Sequence, residues 1–486
     1  MDKETTIQKV ISGFAWEGST KFVVQLFTWA TTIIVARILV PEDYGVVAIS
    51  GVFTGILLII TDMGFMAALI NMKEVERDDF DSVFWLNILL SAVLFTLIYF
   101  LAPLIGQIYG SEILVDIIRV SALVLPLGSL KIVPLAIALR NMDYKYRALV
   151  EMAGQFAMAT SSIILATMGY GVWTLVYAVI IGQIVVVAAY LPLLKSFPRL
   201  VINVARIKEI ASYGLYLMGS EILGFLTKRA DVMIIGLFLT DKQVGFYSMG
   251  FHLATLPLDK IGSIFNSVAF PAVSRIKENT AFAKSLFLNM HKYLLLVTYP
   301  ILVGFALVAE DLVLLLLTEK WMPLVPVLQA LCILNLLRIS GMIMPFIMAG
   351  LGHPKAVFQF NTLGSIVLPV AFLVGAQYGL SGVLLSWFLA YPIMYYFLLT
   401  LLSRKLNMSN TEFFKSGISA LVCTAIMAAV VYFGKLYYST GSNTLDLGIT
   451  IVLGASVYML SNVMFFPHEL TNLKSRIKDW RSSKVA

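Results

Sequence analysis

The feature that most constrains this chain is a succession of apolar segments, each long enough to cross a lipid bilayer. About 20 apolar residues in an α-helix span the hydrocarbon core. Segments of this kind recur from residue 13 to residue 466, and the connections between them are short. Because the bilayer offers backbone groups no partners, such segments fold as helices that satisfy their own hydrogen bonds. The sequence therefore predicts an all-α integral membrane protein.

The composition excludes a soluble protein and gives no support to nucleic-acid binding. Hydrophobic residues make up 59% of the chain and charged residues 13%, against about 25% charged residues in a soluble domain. The net charge is +7, but the lysines and arginines lie mainly at the ends of the apolar segments. The four histidines and two cysteines lack metal-binding spacing, and no connection holds a catalytic grouping. We therefore expect no enzyme activity, no metal and no cofactor.

Fourteen spans can be drawn, which places both termini on one side of the membrane. Their predicted ranges are 13–38, 44–69, 81–104, 113–139, 147–168, 170–194, 209–238, 244–271, 285–308, 322–349, 355–377, 379–403, 414–437 and 443–466. The connections, termini and adjoining span ends on one side hold 23 lysines and arginines, and those on the other side hold four. Since positively charged connections stay in the cytoplasm, we predict a multi-pass protein of the cell inner (cytoplasmic) membrane with both termini cytoplasmic.

The first two spans form a helical hairpin whose pattern returns later in the chain. Thr32–Ala36 before Gly45 resembles Val232–Gly236 before Gly245, at a constant offset of 200 residues. A weaker similarity relates span four to span ten. Any two apolar segments can look alike, which is the alternative explanation. The shared offset and the matching topology instead favour two six-helix lobes related by a parallel pseudo-two-fold repeat, a pattern typical of transporters with a site between the lobes.

The repeat divides the chain into predicted parts, with the last two spans outside it. The outer turn Pro41–Gly45 is then placed where the two lobes would have to part. The predicted parts are an N-terminal interfacial segment 1–12, an N-lobe 13–194 (spans one to six), an inner linker 195–208, a C-lobe 209–403 (spans seven to twelve), spans thirteen and fourteen in 404–466, and a basic cytoplasmic tail 467–486.

The other eight basic residues lie in the interior of the predicted spans, and placing all of them against lipid would cost on the order of 20 kcal/mol. They must pair, reach the surface or face water. Lys260 and Arg338 lie near mid-membrane, with Lys131 and Lys21 at lesser depth. Together with Arg229 they form the predicted substrate-binding set. A water-filled cavity with scattered positive charge would suit an anionic headgroup, because the arginine fork binds phosphate through two N–H groups.

Three acidic residues within the spans lack an obvious local partner: Asp62, Glu151 and Glu221. We predict them as candidates for ion coupling or gating, since protonation or Na⁺ binding there could bias one arrangement of the lobes. The alternative is that these acids and bases pair between helices as structural contacts. Buried ion pairs rarely stabilise a protein relative to apolar packing, which favours a cavity for the set as a whole.

A series of motifs resembles one family of membrane transporters. The motifs are Ala36–Leu39 with Pro41–Gly45, Asp62–Phe65, Val83–Asn87, Gly169–Trp173, Asp231–Gly236, Gly245–Tyr247, Phe270–Arg275 and Glu319–Trp321. In order and spacing they resemble the Wzx-type polysaccharide flippases, in the branch of capsule, colanic acid and teichuronic acid exporters. This branch is part of the multidrug/oligosaccharidyl-lipid/polysaccharide exporter superfamily. The resemblance covers most of residues 10–360 and fades through the last four spans.

The resemblance implies a V-shaped pair of lobes that opens alternately inward and outward. The implied cargo is an undecaprenyl-diphosphate-linked oligosaccharide repeat unit, moved from the cytoplasmic to the outer leaflet for surface polysaccharide such as capsule or lipopolysaccharide. The implied partners are this lipid-linked substrate and membrane lipids, with a polysaccharide polymerase and glycosyltransferases as further partners. The cationic positions named above are predicted from the residues and are not carried over from the family.

Two other functions stay open from the sequence. A cation-coupled multidrug exporter of the MATE type would use the same fold, but its cationic substrates would need a cavity led by carboxylates. The spans hold eight bases and seven acids, so the charge balance discriminates weakly. A structural membrane subunit of a polysaccharide assembly complex is the third alternative. Flipping of a fluorescent lipid-linked glycan by the purified protein would separate all three.

Overall fold

The chain is helical throughout the part that the structure describes. The computed structural model describes residues 23–62, 64–72, 75–194, 196–201, 204–275, 279–437 and 443–467, and these ranges contain no β-strand. Short 3₁₀ segments connect neighbouring helices at Leu191–Leu194, Glu319–Leu324 and Ala376–Tyr378. The α-helices are, in chain order, α1 (Val23–Ile38), α2 (Pro41–Asp62), α3 (Phe65–Asn71), α4 (Arg77–Tyr109), α5 (Glu112–Ser121), α6 (Val124–Arg140), α7 (Tyr144–Thr167), α8 (Trp173–Tyr190), α9 (Val204–Phe238), α10 (Asp241–Arg275), α11 (Thr280–Leu307), α12 (Ala309–Leu316), α13 (Val325–Met342), α14 (Met344–Gly350), α15 (Pro354–Gly375), α16 (Gly379–Lys405), α17 (Asn410–Ser416), α18 (Ile418–Tyr437) and α19 (Asn443–Phe465).

The helices confirm a multi-pass membrane protein. Within the described ranges, ten helical stretches of at least 18 residues are apolar enough to cross a membrane. One of them, Pro354–Lys405, contains two successive helices, α15 and α16. Helix α1 is apolar but shorter, and α9 and α10 are each 35 residues long. Counted together, these helices are compatible with the fourteen predicted spans.

The chain divides into two compact units, Met1–Ser248 and Met249–Ala486. In the first unit, α7 packs on α8, α4 packs on α5 and α6, and α2 contacts α5, α6 and α9. In the second unit, α13 lies between α11 and α16, and α18 packs on both α11 and α19. The lobe boundaries given above stay predictions.

Three of the predicted spans are interrupted well away from their ends. Span two breaks between α2 and α3, where Gly64 has a φ of 66°, in the left-handed region that glycine adopts readily. Span four breaks at 122–123, between α5 and α6, and span ten breaks at Ile343, between α13 and α14. The apolar pattern continues across all three points, so hydrophobic periodicity alone does not reveal them. The first break matters most, because it leaves Asp62 at the end of α2.

A buried hydrogen-bonded network fixes α13 within the second unit. The ring of His291 is 1% exposed; its Nδ1 lies 2.7 Å from Ser416 Oγ and its Nε2 lies 2.8 Å from Ser340 Oγ. Ser416 donates its own proton to the carbonyl of Phe413, so its oxygen accepts from Nδ1–H. In a neutral ring Nε2 then accepts from Ser340, whose oxygen lies 2.8 Å from the hydroxyl of Tyr395. The network thereby ties α13 to α11, α16 and α17.

Candidate functional site

Arg338 occupies a half-buried position on α13, where a second polar side chain orients it. Its Nη1 donates to Asn335 Oδ1 at 3.1 Å. Asn335 is fully buried, and its amide donates to the backbone carbonyl of Ala254 on α10 at 2.8 Å. Because both halves of the Asn335 amide are engaged, the side chain has one preferred orientation. The guanidinium of Arg338 is therefore held in place by a residue that is itself fixed.

Two aromatic rings flank the same guanidinium. Its central carbon lies 5.1 Å from the ring centroid of Phe251 and 5.2 Å from that of Trp387. A cation close to an aromatic ring is attracted by the quadrupole of that ring, which stabilises the charge where water is scarce. Within the described residues, Asn335 is the hydrogen-bond partner of Arg338. The remaining N–H groups can then bind the oxygens of an anionic group.

The other four predicted cations differ in their exposure and in how far the structure describes them. Lys131, on α6, is half-buried and donates to Gln183 Oε1 at 3.1 Å. Arg229 is exposed on α9 beside the exposed Lys228. Lys260 lies on α10, but its side chain falls outside the described residues, and Lys21 lies outside them altogether. Arg338 and Lys131 are thus both half-buried cations that donate a hydrogen bond to a side-chain amide oxygen.

The structure places two of the three predicted acids close together. Asp62 ends α2, and the backbone N–H of Met66, in the first turn of α3, donates to its carboxylate. Asp62 Oδ1 is buried and accepts no hydrogen bond within the described part of the chain. The carboxylate of Glu221, which is exposed on α9, lies near enough to interact with it electrostatically. The carboxylate at the end of α2 and the carboxylate in the interior of α9 are therefore neighbours in the first unit.

Glu151 has different neighbours. It is half-buried on α7, close to Tyr190 and to the guanidinium of Arg147. Tyr190 is fully buried, and its hydroxyl forms no hydrogen bond within the described residues. Glu151 therefore has a basic neighbour, Arg147, one helical turn away, and this pairing was not predicted from the sequence.

Several functional contacts were not predicted from the sequence. Asn335 precedes Arg338 by three residues, a spacing that puts both on one helix face, so the pattern could have indicated it. Phe251 and Trp387 come from distant helices, and no local signal connects them to Arg338. Asp231, another acid within a span, is buried and accepts from the hydroxyl of Tyr247 at 2.6 Å. This contact gives Asp231 a structural role.

The two repeated glycines contact each other's helices within the first unit. A Cβ atom added to Gly45 would overlap the backbone carbonyl of Asp241, and one added to Gly245 would overlap the carbonyl of Pro41. The N-terminal turns of α2 and α10 therefore approach at backbone distance, which only glycine permits at these two positions. The offset of 200 residues thus relates two helices that meet at their equivalent ends.

Charged side chains surround this glycine contact. Lys242 Nζ lies 3.4 Å from Glu42 Oε1, and both side chains are about half exposed. The hydroxyl of Ser111 donates to Asp241 Oδ2 at 3.3 Å. Partial burial raises the pKa of Asp241, the nearby Glu42 adds to the rise, and the bond from Ser111 opposes it. This contact is therefore polar and partly exposed at its rim.

Comparison with known proteins identifies relatives over most of the chain. Residues 34–326, more than half of the chain, match the model of a family described as polysaccharide biosynthesis protein. The teichuronic acid biosynthesis protein TuaB of Bacillus subtilis (strain 168) is 25% identical over 438 residues, which cover 85% of this chain and 87% of that protein. The lipopolysaccharide biosynthesis protein WzxC of Escherichia coli (strain K12) is 24% identical, with 79% and 78% covered. The succinoglycan biosynthesis transport protein ExoT of Rhizobium meliloti (strain 1021) is also 24% identical, with 72% and 70% covered.

Solved structures show the same fold. The lipid II flippase MurJ in its inward closed conformation superposes with a TM-score of 0.78 at 16% identity, covering 93% of this chain and 99% of that one. An inward-facing multidrug resistance transporter of the MATE family, from the MOP superfamily, gives a TM-score of 0.61 at 16% identity, with 79% and 96% covered. At these identities the similarity establishes the fold alone. It confirms the predicted class of all-α membrane protein.

Proposed function

Since the chain belongs to the polysaccharide biosynthesis protein family, we propose that it is a flippase of lipid-linked oligosaccharides. Its cargo would be an undecaprenyl-diphosphate-linked repeat unit, moved by alternating access for surface polysaccharide biosynthesis. Relatives named for teichuronic acid, lipopolysaccharide and succinoglycan biosynthesis support this class of cargo. A shared fold with a protein named as a lipid II flippase supports the transport of a lipid with a diphosphate-linked headgroup.

The main structural support for the proposal is the fixed orientation of the Arg338 guanidinium. A diphosphate presents several oxygens to a cation, and the planar fork of Arg binds two of them at once. Asn335 fixes the orientation of this fork, while Phe251 and Trp387 stabilise its charge. A carboxylate-led cavity for cationic drugs would not place a half-buried arginine in this position.

The other charged residues take proposed roles around Arg338. Lys260 would meet the diphosphate together with Arg338, while Arg229, Lys131 and Lys21 would line its route. Asp62 and Glu221 would bind the coupling proton or cation. The buried Oδ1 of Asp62 supports this role, because it has no hydrogen-bond partner among the described residues. Glu151 stays a weaker candidate for this role because Arg147 lies beside it.

The proposal places the protein in the inner (cytoplasmic) membrane with both termini in the cytoplasm. The asymmetry of lysines and arginines between the two sides supports this orientation. A polysaccharide polymerase and glycosyltransferases would act next to it, since they use and supply the same lipid-linked unit. In this scheme the protein moves its substrate without chemical change, so it is a transporter and not an enzyme.

Deleting the gene is expected to remove the surface polysaccharide and to trap its lipid-linked repeat unit in the cytoplasmic leaflet. Glycan staining of intact cells measures the first effect. Resistance of the lipid-linked unit to a membrane-impermeant glycosidase measures the second. A plasmid copy of the gene restores both, and susceptibility to cationic dyes is unchanged in all strains. Normal polysaccharide together with increased dye sensitivity would favour a multidrug exporter instead.

A further inference from the structure

A pocket of about 370 Å³ lies in the first unit, away from Arg338. It is bounded by the start of α4, the end of α6, the 3₁₀ segment Leu191–Leu194, and Ser196 and Pro198. Its polar lining comes from two arginines, one carboxylate, one amide and one hydroxyl: Arg77, Arg140, Asp81, Asn141 and Ser196. The remaining lining is apolar. By the proposed orientation the pocket lies at the cytoplasmic side of the membrane.

Arg140 is fixed by one of its guanidinium nitrogens and leaves the others available. Its Nη1 donates to the carbonyls of Leu69, Ile70 and Met72 at 2.5, 3.4 and 2.9 Å. These carbonyls lie at the C-terminal end of α3, where backbone carbonyl groups have no N–H partner within the helix. A cation at this end also interacts favourably with the helix dipole. The Nε and Nη2 groups form no hydrogen bond within the described residues. Arg140 is therefore a half-buried, oriented cation with a free pair of donors.

Arg77 is the second oriented cation of the pocket. Its Nη2 donates to Ser196 Oγ, and its Nε lies 3.8 Å from Asp81 Oδ2. The side chain of Arg77 is 51% exposed, whereas that of Asp81 is 6% exposed. The buried carboxylate of Asp81 thus forms an ion pair with Arg77 and offsets part of its positive charge. The pocket is lined by two positively charged guanidinium groups and by one buried carboxylate, so its open part carries a net positive charge.

Exposed apolar side chains adjoin the pocket. Phe197 is 73% exposed and Leu200 is 76% exposed, on the segment that forms one wall. The segment is held on α4, because Phe197 packs edge-on against Phe84 and Trp85, and the indole N–H of Trp85 donates to the carbonyl of Pro198 at 3.3 Å. Aromatic and apolar side chains next to arginines at a helix end are typical of the membrane interface. A lipid can place its headgroup in the pocket and its chain along these residues.

We propose that this pocket binds the phosphate of a lipid in the adjacent leaflet, at a site separate from the one that Arg338 forms. Arg140 and Arg77 bind the phosphate oxygens, and the exposed apolar residues contact the acyl or prenyl chain. Both an anionic phospholipid and a polyprenyl diphosphate carry this chemistry. The inference does not require transport by the protein, and a binding measurement can test it independently of the proposed function.

Binding of lipids to the purified full-length protein in detergent tests the proposal. Phosphatidylglycerol and polyprenyl diphosphate are titrated separately, with diacylglycerol as a lipid without phosphate and inorganic diphosphate as a phosphate without lipid. We expect Arg77→Gln to weaken binding of the phosphate-bearing lipids about 10-fold, the effect of losing a charge-assisted hydrogen bond. Asn141→Asp keeps both arginines and adds a negative charge, so it should weaken binding to a similar degree. Whichever of the two phosphate-bearing lipids binds more tightly is the ligand.

The matched control is Arg119→Gln. Arg119 lies on α5, where it contacts Asp116 at 3.8 Å and the ring of Tyr99, so this change removes the same charge away from the pocket. It should leave lipid binding unchanged. Wild-type affinity in Arg77→Gln and Asn141→Asp would overturn the proposal. So would an equal loss in Arg119→Gln, or binding of diacylglycerol as tight as that of phosphatidylglycerol.

Discussion

Replacing Arg338 with glutamine is expected to reduce export of surface polysaccharide by about 10- to 100-fold, the range that corresponds to losing a hydrogen bond to a charged group. The guanidinium is held in a fixed orientation by Asn335, and glutamine cannot offer a phosphate either its charge or its fork. Surface glycan per cell, normalised to the amount of protein in the membrane, measures the effect.

Two further variants make the Arg338 result specific. Arg338→Lys keeps the charge but loses the planar fork, so export should fall between that of the wild type and that of Arg338→Gln. Arg404→Gln removes the same charge from the exposed last turn of α16 and should export normally. Full export by Arg338→Gln, with normal protein abundance, would show that this residue does not bind the cargo.

Replacing Gly45 with valine is expected to reduce export at least about 5-fold through steric exclusion. The added side chain overlaps the backbone carbonyl of Asp241, so the N-terminal turns of α2 and α10 must move apart. Overpacking of this kind costs about 1–3 kcal/mol, enough to shift the balance between closed and open arrangements roughly 5- to 150-fold. Export and membrane abundance are measured as for Arg338.

The chain offers a matched control on the same helix. Gly51 also lies on α2, but a Cβ there would meet no atom within 4 Å, so Gly51→Val should export normally. Gly45→Ala and Gly245→Ala should each reduce export, and the double variant should be little worse than either single one. The effects are not additive because the first substitution already separates the helices. Normal export by Gly45→Val would mean that this contact does not form during transport.

The sequence predicts the membrane class and much of the helical order because hydrophobic length is a local property. Apolar runs of about 20 residues specify spans without knowledge of their neighbours. The repeat also linked Gly45 with Gly245, although it did not reveal that the two glycines meet. That meeting depends on how α2 and α10 cross, which a linear pattern does not record.

Helix interruptions and the surroundings of charges depend on tertiary contacts. The break at Gly64 lies inside a continuous apolar run, so its influence on Asp62 is invisible to periodicity. Arg338 was identified from its depth in a span, but the flanking rings of Phe251 and Trp387 come from helices far away in sequence. No partner was assigned to Glu151 because Arg147, one helical turn before it, was counted among the basic residues at the cytoplasmic end of span five.

The most direct test of this account is lipid flipping by the purified protein in vesicles. A fluorescent lipid-linked oligosaccharide is placed in both leaflets, and a membrane-impermeant quencher is added outside. We predict that the inner-leaflet pool becomes accessible to the quencher in vesicles with wild-type protein, and much more slowly in those with Arg338→Gln. An inner-leaflet pool that stays protected in the presence of folded wild-type protein, with an ion gradient of either sign, would contradict the account.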